Sequence, residues 1–163
     1  MKIKLPLYQY LNFILTGLIF AGCVLLVFDI NLHQELIIDS LSEFSFSIET
    51  VILFVIIGIV YEFGLIINRI GSIFIEPIYK KLHFIKFNND YKLYNERKDE
   101  YPILNDLSRE YVLSRTQISL FLIVAVLSAV NQRWLFLCFT LLLVVLFSIS
   151  MYKHSKKIVE LMK

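Results

Sequence analysis

Residues 60–71, VYEFGLIINRIG, place a carboxylate, an amide and a guanidinium at the end of one of the most apolar runs in the chain: Glu62, Asn68 and Arg69. Glu62 and Arg69 are seven apart and share a helix face, with Glu62 roughly 10 Å deeper along the axis. An ionisable group at such depth in hydrocarbon is costly, and its usual roles are a proton relay, an ion path or a substrate contact. A structural role competes with these. The acid is then kept neutral by desolvation, or pairs with Arg69 or Arg115, and ties helices together. Asn12 and Thr16, four apart on one face, and Arg115, Thr116, Gln117 and Ser119 fall at comparable depth in other apolar runs. Glu62, Asn68, Arg69, Asn12, Thr16, Arg115 and Gln117 are therefore the candidate intramembrane polar site.

The elements that must position these groups follow from composition. The chain of 163 residues is 58% hydrophobic and 18% charged, with a mean hydropathy of +0.70, too apolar for an ordinary soluble domain. A membrane helix needs about 20 mostly apolar residues. Four stretches qualify, at residues 8–28, 49–70, 113–131 and 134–152. The third is the weakest, because its clean apolar run covers only Ile118 to Val130 and Arg115 must reach toward the headgroups. Only NQR separates the third and fourth, which demands a tight antiparallel helical hairpin. Lys2 and Lys4 before the first apolar run suggest a signal peptide, but the run is long for an h-region and lacks a convincing small-x-small cleavage site before Asp29, so the segment is read as a span. The expected fold class is all-α: a polytopic membrane protein of four transmembrane helices, with a helical cytoplasmic extension between helices 2 and 3. Gly17 with Ala21, and Gly58 with Gly64, supply small positions for close helix approach.

Charge segregates along the chain. Residues 29–49 carry Asp29, Glu35, Asp39, Glu43 and Glu49 and no lysine or arginine, whereas residues 69–115 hold nine basic side chains. The positive-inside rule places both termini and that segment on the cytoplasmic side of the cell membrane. Within it, GSIFIEPIYKKLHFIKF mixes apolar side chains with Lys80, Lys81 and Lys86, a composition suited to contact with anionic inner-leaflet lipid or to the flank of a span. Pro77 is a candidate kink that turns the chain along the bilayer. From Pro102, apolar or small residues at Leu104, Leu107, Tyr111, Ser114 and Ile118 predict one helix running through the third span, so that residues 72–112 form a helical arm.

Several chemistries find no support in the residues. HExxH, GxSxG and P-loop motifs are absent, and His33, His83 and His154 lie in separate segments, so no catalytic residue, metal site or cofactor is expected. Cys23 and Cys138 read as small hydrophobes in apolar runs. Seven acids accompany the nine basic residues of 69–115, which argues against nucleic-acid binding.

The run GLIINRIGSIFIEPIYKKL, followed by LSREYVLSRTQ, resembles a pattern in small bacterial inner-membrane proteins, some of them membrane components of anti-phage defence operons such as the Kiwa system. The resemblance implies a non-enzymatic subunit that works with a soluble cytoplasmic partner as sensor or membrane-acting effector. A bundle this thin is also expected to form a homo-oligomer in the lipid bilayer. The alternative is a small transporter or pore in which Glu62 carries a proton or contacts a cation.

Overall fold

The computed structural model describes residues 7–29, 46–85 and 91–162, and everything described is helix or short turn. Helix α1 spans Leu7–Val27 and α2 Phe46–Ile70; a π-helical turn, Gly71–Ile75, joins α2 to the short α3, Glu76–Lys81. Helix α4 spans Tyr91–Glu100, α5 Ile103–Val130 and α6 Trp134–Met162. Four stretches are long and apolar enough to cross a membrane: α1, the continuous rod Ile48–Lys81, α5 and α6. The last runs well past residue 152, where its apolar composition ends. Lys86 lies outside the described residues.

Two antiparallel hairpins make the bundle. Helices α1 and α2 pack on each other, α5 packs on α6, and α5 also touches α1 and α2. Helix α5 is the axis: 61% of its span is buried inside the protein, against 11–17% for the other three. It is also the least hydropathic of the four, which has a physical cause. A helix whose neighbours are other helices can carry serine, threonine, glutamine and arginine inward, where partners exist, while lipid-facing helices cannot. Its buried side chains accordingly include Ser114, Arg115, Thr116, Gln117 and Ser119 beside Leu120, Phe121 and Val124. At the end carrying α4, Leu104, Leu107, Tyr111, Met151 and Ile158 join Ile75 and Ile85 in an apolar core. Tyr94 of α4 packs against this core. The Tyr94 hydroxyl donates to Asn105 Oδ1 at 3.2 Å.

The sharp turns use the same backbone device twice. At the α5–α6 connection Gln132 adopts a left-handed φ of 56°, Gln132 N donates to the Ala129 carbonyl at 3.2 Å and Arg133 N to Ser128 at 2.9 Å. This is a Schellman closure on a residue other than glycine. It delivers Arg133 to an ion pair with Asp29 at the end of α1. At the end of α3, His83 (φ 58°) donates to Lys80 and Phe84 to Tyr79, and the Phe84 and Tyr79 rings pack edge to face at 5.6 Å. The helix that starts in α2 therefore ends at His83.

Pro77 does not break this helix, which runs on from Ile48 to Lys81. Proline lacks the N–H that an α-helix needs and its ring crowds the carbonyl four residues back. The turn before it is widened instead, with the Glu76 N–H bonded to the Gly71 carbonyl, five residues away. Inserting a residue into one turn rotates everything beyond it by about 100° relative to an uninterrupted helix. That rotation has a chemical result. Residues 62, 69 and 76 are spaced by seven and would share one stripe, yet Glu62 and Arg69 are exposed while the Glu76 side chain faces α5 and is 13% exposed.

Candidate functional site

The polar groups divide into a buried network and an outer stripe. The network is centred on Arg115 of α5. Its Nη1 donates to Glu76 Oε2 at 2.5 Å and its Nη2 to Asn68 Oδ1 at 3.2 Å. The second Glu76 oxygen pairs with Lys80 at 2.9 Å, one helical turn on. The Thr116 hydroxyl lies 2.9 Å from both Asn68 Oδ1 and the Val112 carbonyl of its own helix. At the next residue, Gln117 Nε2 donates to Thr16 Oγ1 at 3.4 Å. The guanidinium is thus charge-balanced by one carboxylate and positioned by one amide. Arg115 Nε alone lacks a hydrogen-bond partner among the described residues.

Close backbone approach makes this network possible. A methyl at Gly71 would lie 2.7 Å from Ser119 Oγ and 3.3 Å from Arg115 Cγ, so the π-turn can press onto α5 only with glycine there. Gly17 of α1 sits against the Val60 carbonyl and Gly64 of α2 against the Phe13 carbonyl. These two reciprocal contacts set α1 and α2 side by side. Gly17 and Gly64 thus lie on opposite helices of one seam, each against main chain of the other. Gly58 has no atom within 4 Å of where its Cβ would be and faces outward.

Glu62 is not part of the network. It lies on the exposed face of α2 in a shallow depression with Val55, Gly58, Ile59, Phe63 and Ile66, and makes no ion pair or hydrogen bond among the described residues. Arg69 lies on the same stripe, too far along it to pair with Glu62, and Arg115 is engaged by Glu76. In the rod Ile48–Lys81, Glu62 is 14 residues, about 21 Å, from Ile48 and seven residues, about 10 Å, from Arg69, so it lies nearer the Arg69 end of a stretch one hydrocarbon thickness long.

Asn12 contributes to neither group directly. It lines a cavity of about 180 Å³ between α1, the end of α2 and α5, together with Tyr8, Thr16, Asn68, Ser108, Arg109 and Thr116. Of the basic side chains near the π-turn, Lys80 is tied to Glu76 and Lys81 is exposed.

The residues that sequence reasoning passed over are Glu76, Ser108, Arg109 and Tyr8. The spacing of seven from Arg69 points Glu76 at the outward stripe, so nothing in the periodicity signals the inward position that the π-turn gives it. Chemically, the network pairs, positions and excludes water. It brings no nucleophile to a base, and among the described residues no three His, Cys, Asp or Glu side chains gather to hold a metal. No protein-family model, curated protein or solved structure matches the chain.

Proposed function

We propose that the chain is a non-enzymatic membrane subunit that associates with copies of itself through the outer stripe of α2 and presents its α4 end to a soluble cytoplasmic protein. The observation that carries this reading is Glu62. A carboxylate about 10 Å along a span from Arg69, facing outward among Val55, Ile59 and Ile66, is costly against lipid. A second copy packed on the same stripe removes lipid from around it and lets two carboxyl groups, or Glu62 and a polar group opposite, satisfy each other. Gly58, one turn away, allows that approach. The charge asymmetry supports the orientation, with the lysine- and arginine-rich α4 end inside. The exposed polar side chains of α4, Lys92, Asn95, Glu96, Asp99 and Glu100, offer a soluble partner a mixed-charge surface. The family resemblance supports the setting: a sensor or membrane-acting effector of bacterial antiviral defence.

Two measurements test the halves separately. Single-molecule photobleaching in lipid nanodiscs should show several copies for the wild type and for Glu62→Gln, which keeps the hydrogen bonds, and mostly single copies for Glu62→Lys. A wild type that is monomeric at all lipid ratios removes self-association. Deleting residues 86–101 should abolish co-purification of the soluble partner while membrane insertion persists; retained binding removes the docking role of that segment. The depth of Glu62 within its span also favours a competing reading as a small transporter or pore. Proton or cation flux in liposomes that is present in the wild type and lost in Glu62→Gln would establish it in place of the subunit.

A further inference from the structure

The cavity between α1 and α5 has a chemistry that neither self-association nor partner docking uses. Both helices run the same way along it. It extends from Tyr8 and Arg109 at one end to Thr16 and Thr116 at the other, eight and seven residues, or about 12 Å. At about 180 Å³ it exceeds what one water requires by roughly tenfold.

No carboxylate lines it, and its polar groups are biased toward donors. The Asn68 carbonyl oxygen is already engaged by Arg115 and Thr116, which leaves the two Nδ2 hydrogens as what this amide can offer. Asn12 has no hydrogen-bond partner among the described residues. Tyr8 and Ser108 add hydroxyls. The Arg109 guanidinium sits over the Tyr8 ring at 5.8 Å to the centroid, and its one ion pair, with Asp106, is long at 3.4 Å and exposed. Most of its five N–H donors remain available. Phe13, Val112 and Leu113 give the same cavity an apolar wall.

Depth identifies the kind of molecule. Arg109 is 21 residues from Val130 at the far end of α5, about 32 Å, and Tyr8 is 19 residues from Val27 at the far end of α1, about 29 Å. Each is one hydrocarbon thickness, about 30 Å, from the opposite boundary. The mouth of the cavity therefore lies at the hydrocarbon boundary, where phosphate and ester groups meet, and its inner end reaches about 12 Å into the acyl region.

We propose that this cavity is a binding site for an anionic phospholipid. The phosphodiester is held by Arg109 at the mouth, an ester oxygen accepts from the Asn12 amide one turn deeper, and an acyl chain runs inward along Phe13 and Leu113. A single guanidinium without a fully engaged carboxylate favours a headgroup of net negative charge over a zwitterionic one, which brings its own cation. The inference depends on the four spans and is independent of what the α2 stripe or the α4 end does.

Native mass spectrometry of the full chain, released from micelles containing phosphatidylglycerol or phosphatidylcholine, tests it, with thermal melting as a check that each variant is folded. The wild type should retain phosphatidylglycerol in preference. Arg109→Gln should weaken that retention about tenfold, the loss expected for a charge-assisted hydrogen bond. Asn12→Leu, which keeps the shape of the side chain and removes the amide donor, should weaken it as well. Lys81→Gln, a change of equal charge outside the cavity, should leave it intact. Equal retention by Arg109→Gln, or an equal loss from Lys81→Gln, overturns the site in favour of general surface attraction. Stabilisation by inorganic phosphate with no retained lipid overturns the lipid as its occupant, and a folded wild type that retains neither contains only water there.

Discussion

Glu76→Ala should destabilise the bundle by roughly 3–5 kcal/mol, the cost of leaving a buried guanidinium without its counter-charge. The Arg115 and Glu76 side chains are only 10% and 13% exposed, so the small values typical of surface ion pairs do not apply. The reciprocal change should cost less. In Arg115→Met, Glu76 keeps Lys80 at 2.9 Å and reaches water more easily, and the methionine fills the vacated volume. The double variant Glu76→Leu/Arg115→Met should recover most of the loss, because replacing a buried pair by apolar side chains of similar size is often neutral. Glu76→Gln should fall between, since the amide still accepts from Arg115 without balancing its charge. Unfolding in mixed micelles, followed by helical circular dichroism, measures all four. If Glu76→Ala lies within about 1 kcal/mol of the wild type, water reaches Arg115 and the network does not hold α3 to α5.

This network shows where reading the chain by hydropathy succeeds and where it stops. Apolar length located all four spans, and the three-residue NQR connection required the hairpin that Gln132 closes. The regular spacing from Leu104 to Ile118 foretold an unbroken helix from Ile103 to Val130. The same hydropathy made the third span look weakest, whereas it is the most buried. Low hydropathy in α5 comes from polar side chains that have protein partners, and a one-dimensional scale treats them as lipid-facing. The second failure is rotational. Periodicity assumes about 100° per residue, so one π-turn before Pro77 moves Glu76 off the stripe of Glu62 and Arg69 without leaving any trace in composition. Arg115 consequently has a partner from outside the group of residues that first drew attention, and Glu62 has none within the described residues.

The glycines offer the cleanest separation between what folds one copy and what joins copies. Gly64→Val should destabilise the fold by about 3 kcal/mol, the upper part of the range for overpacking, because the new Cβ meets the Phe13 carbonyl and neighbouring main chain, which cannot swing away as a side chain would. Gly17→Val should do the same against Val60, and the two changes together should cost less than their sum, since either one already forces α1 and α2 apart. Gly58→Leu belongs to a different class. No atom lies within 4 Å of its Cβ position, and replacing glycine within a helix stabilises by about 0.5–1 kcal/mol. The melting temperature of a single copy should therefore hold or rise in Gly58→Leu. Photobleaching should nevertheless report fewer copies per nanodisc, because the larger side chain occupies the depression beside Glu62 where a neighbouring α2 would pack. Matching losses of stability at Gly58 and Gly64 would instead mean that both faces of α2 are interior to one chain, and the outer stripe could no longer be a surface for a second copy.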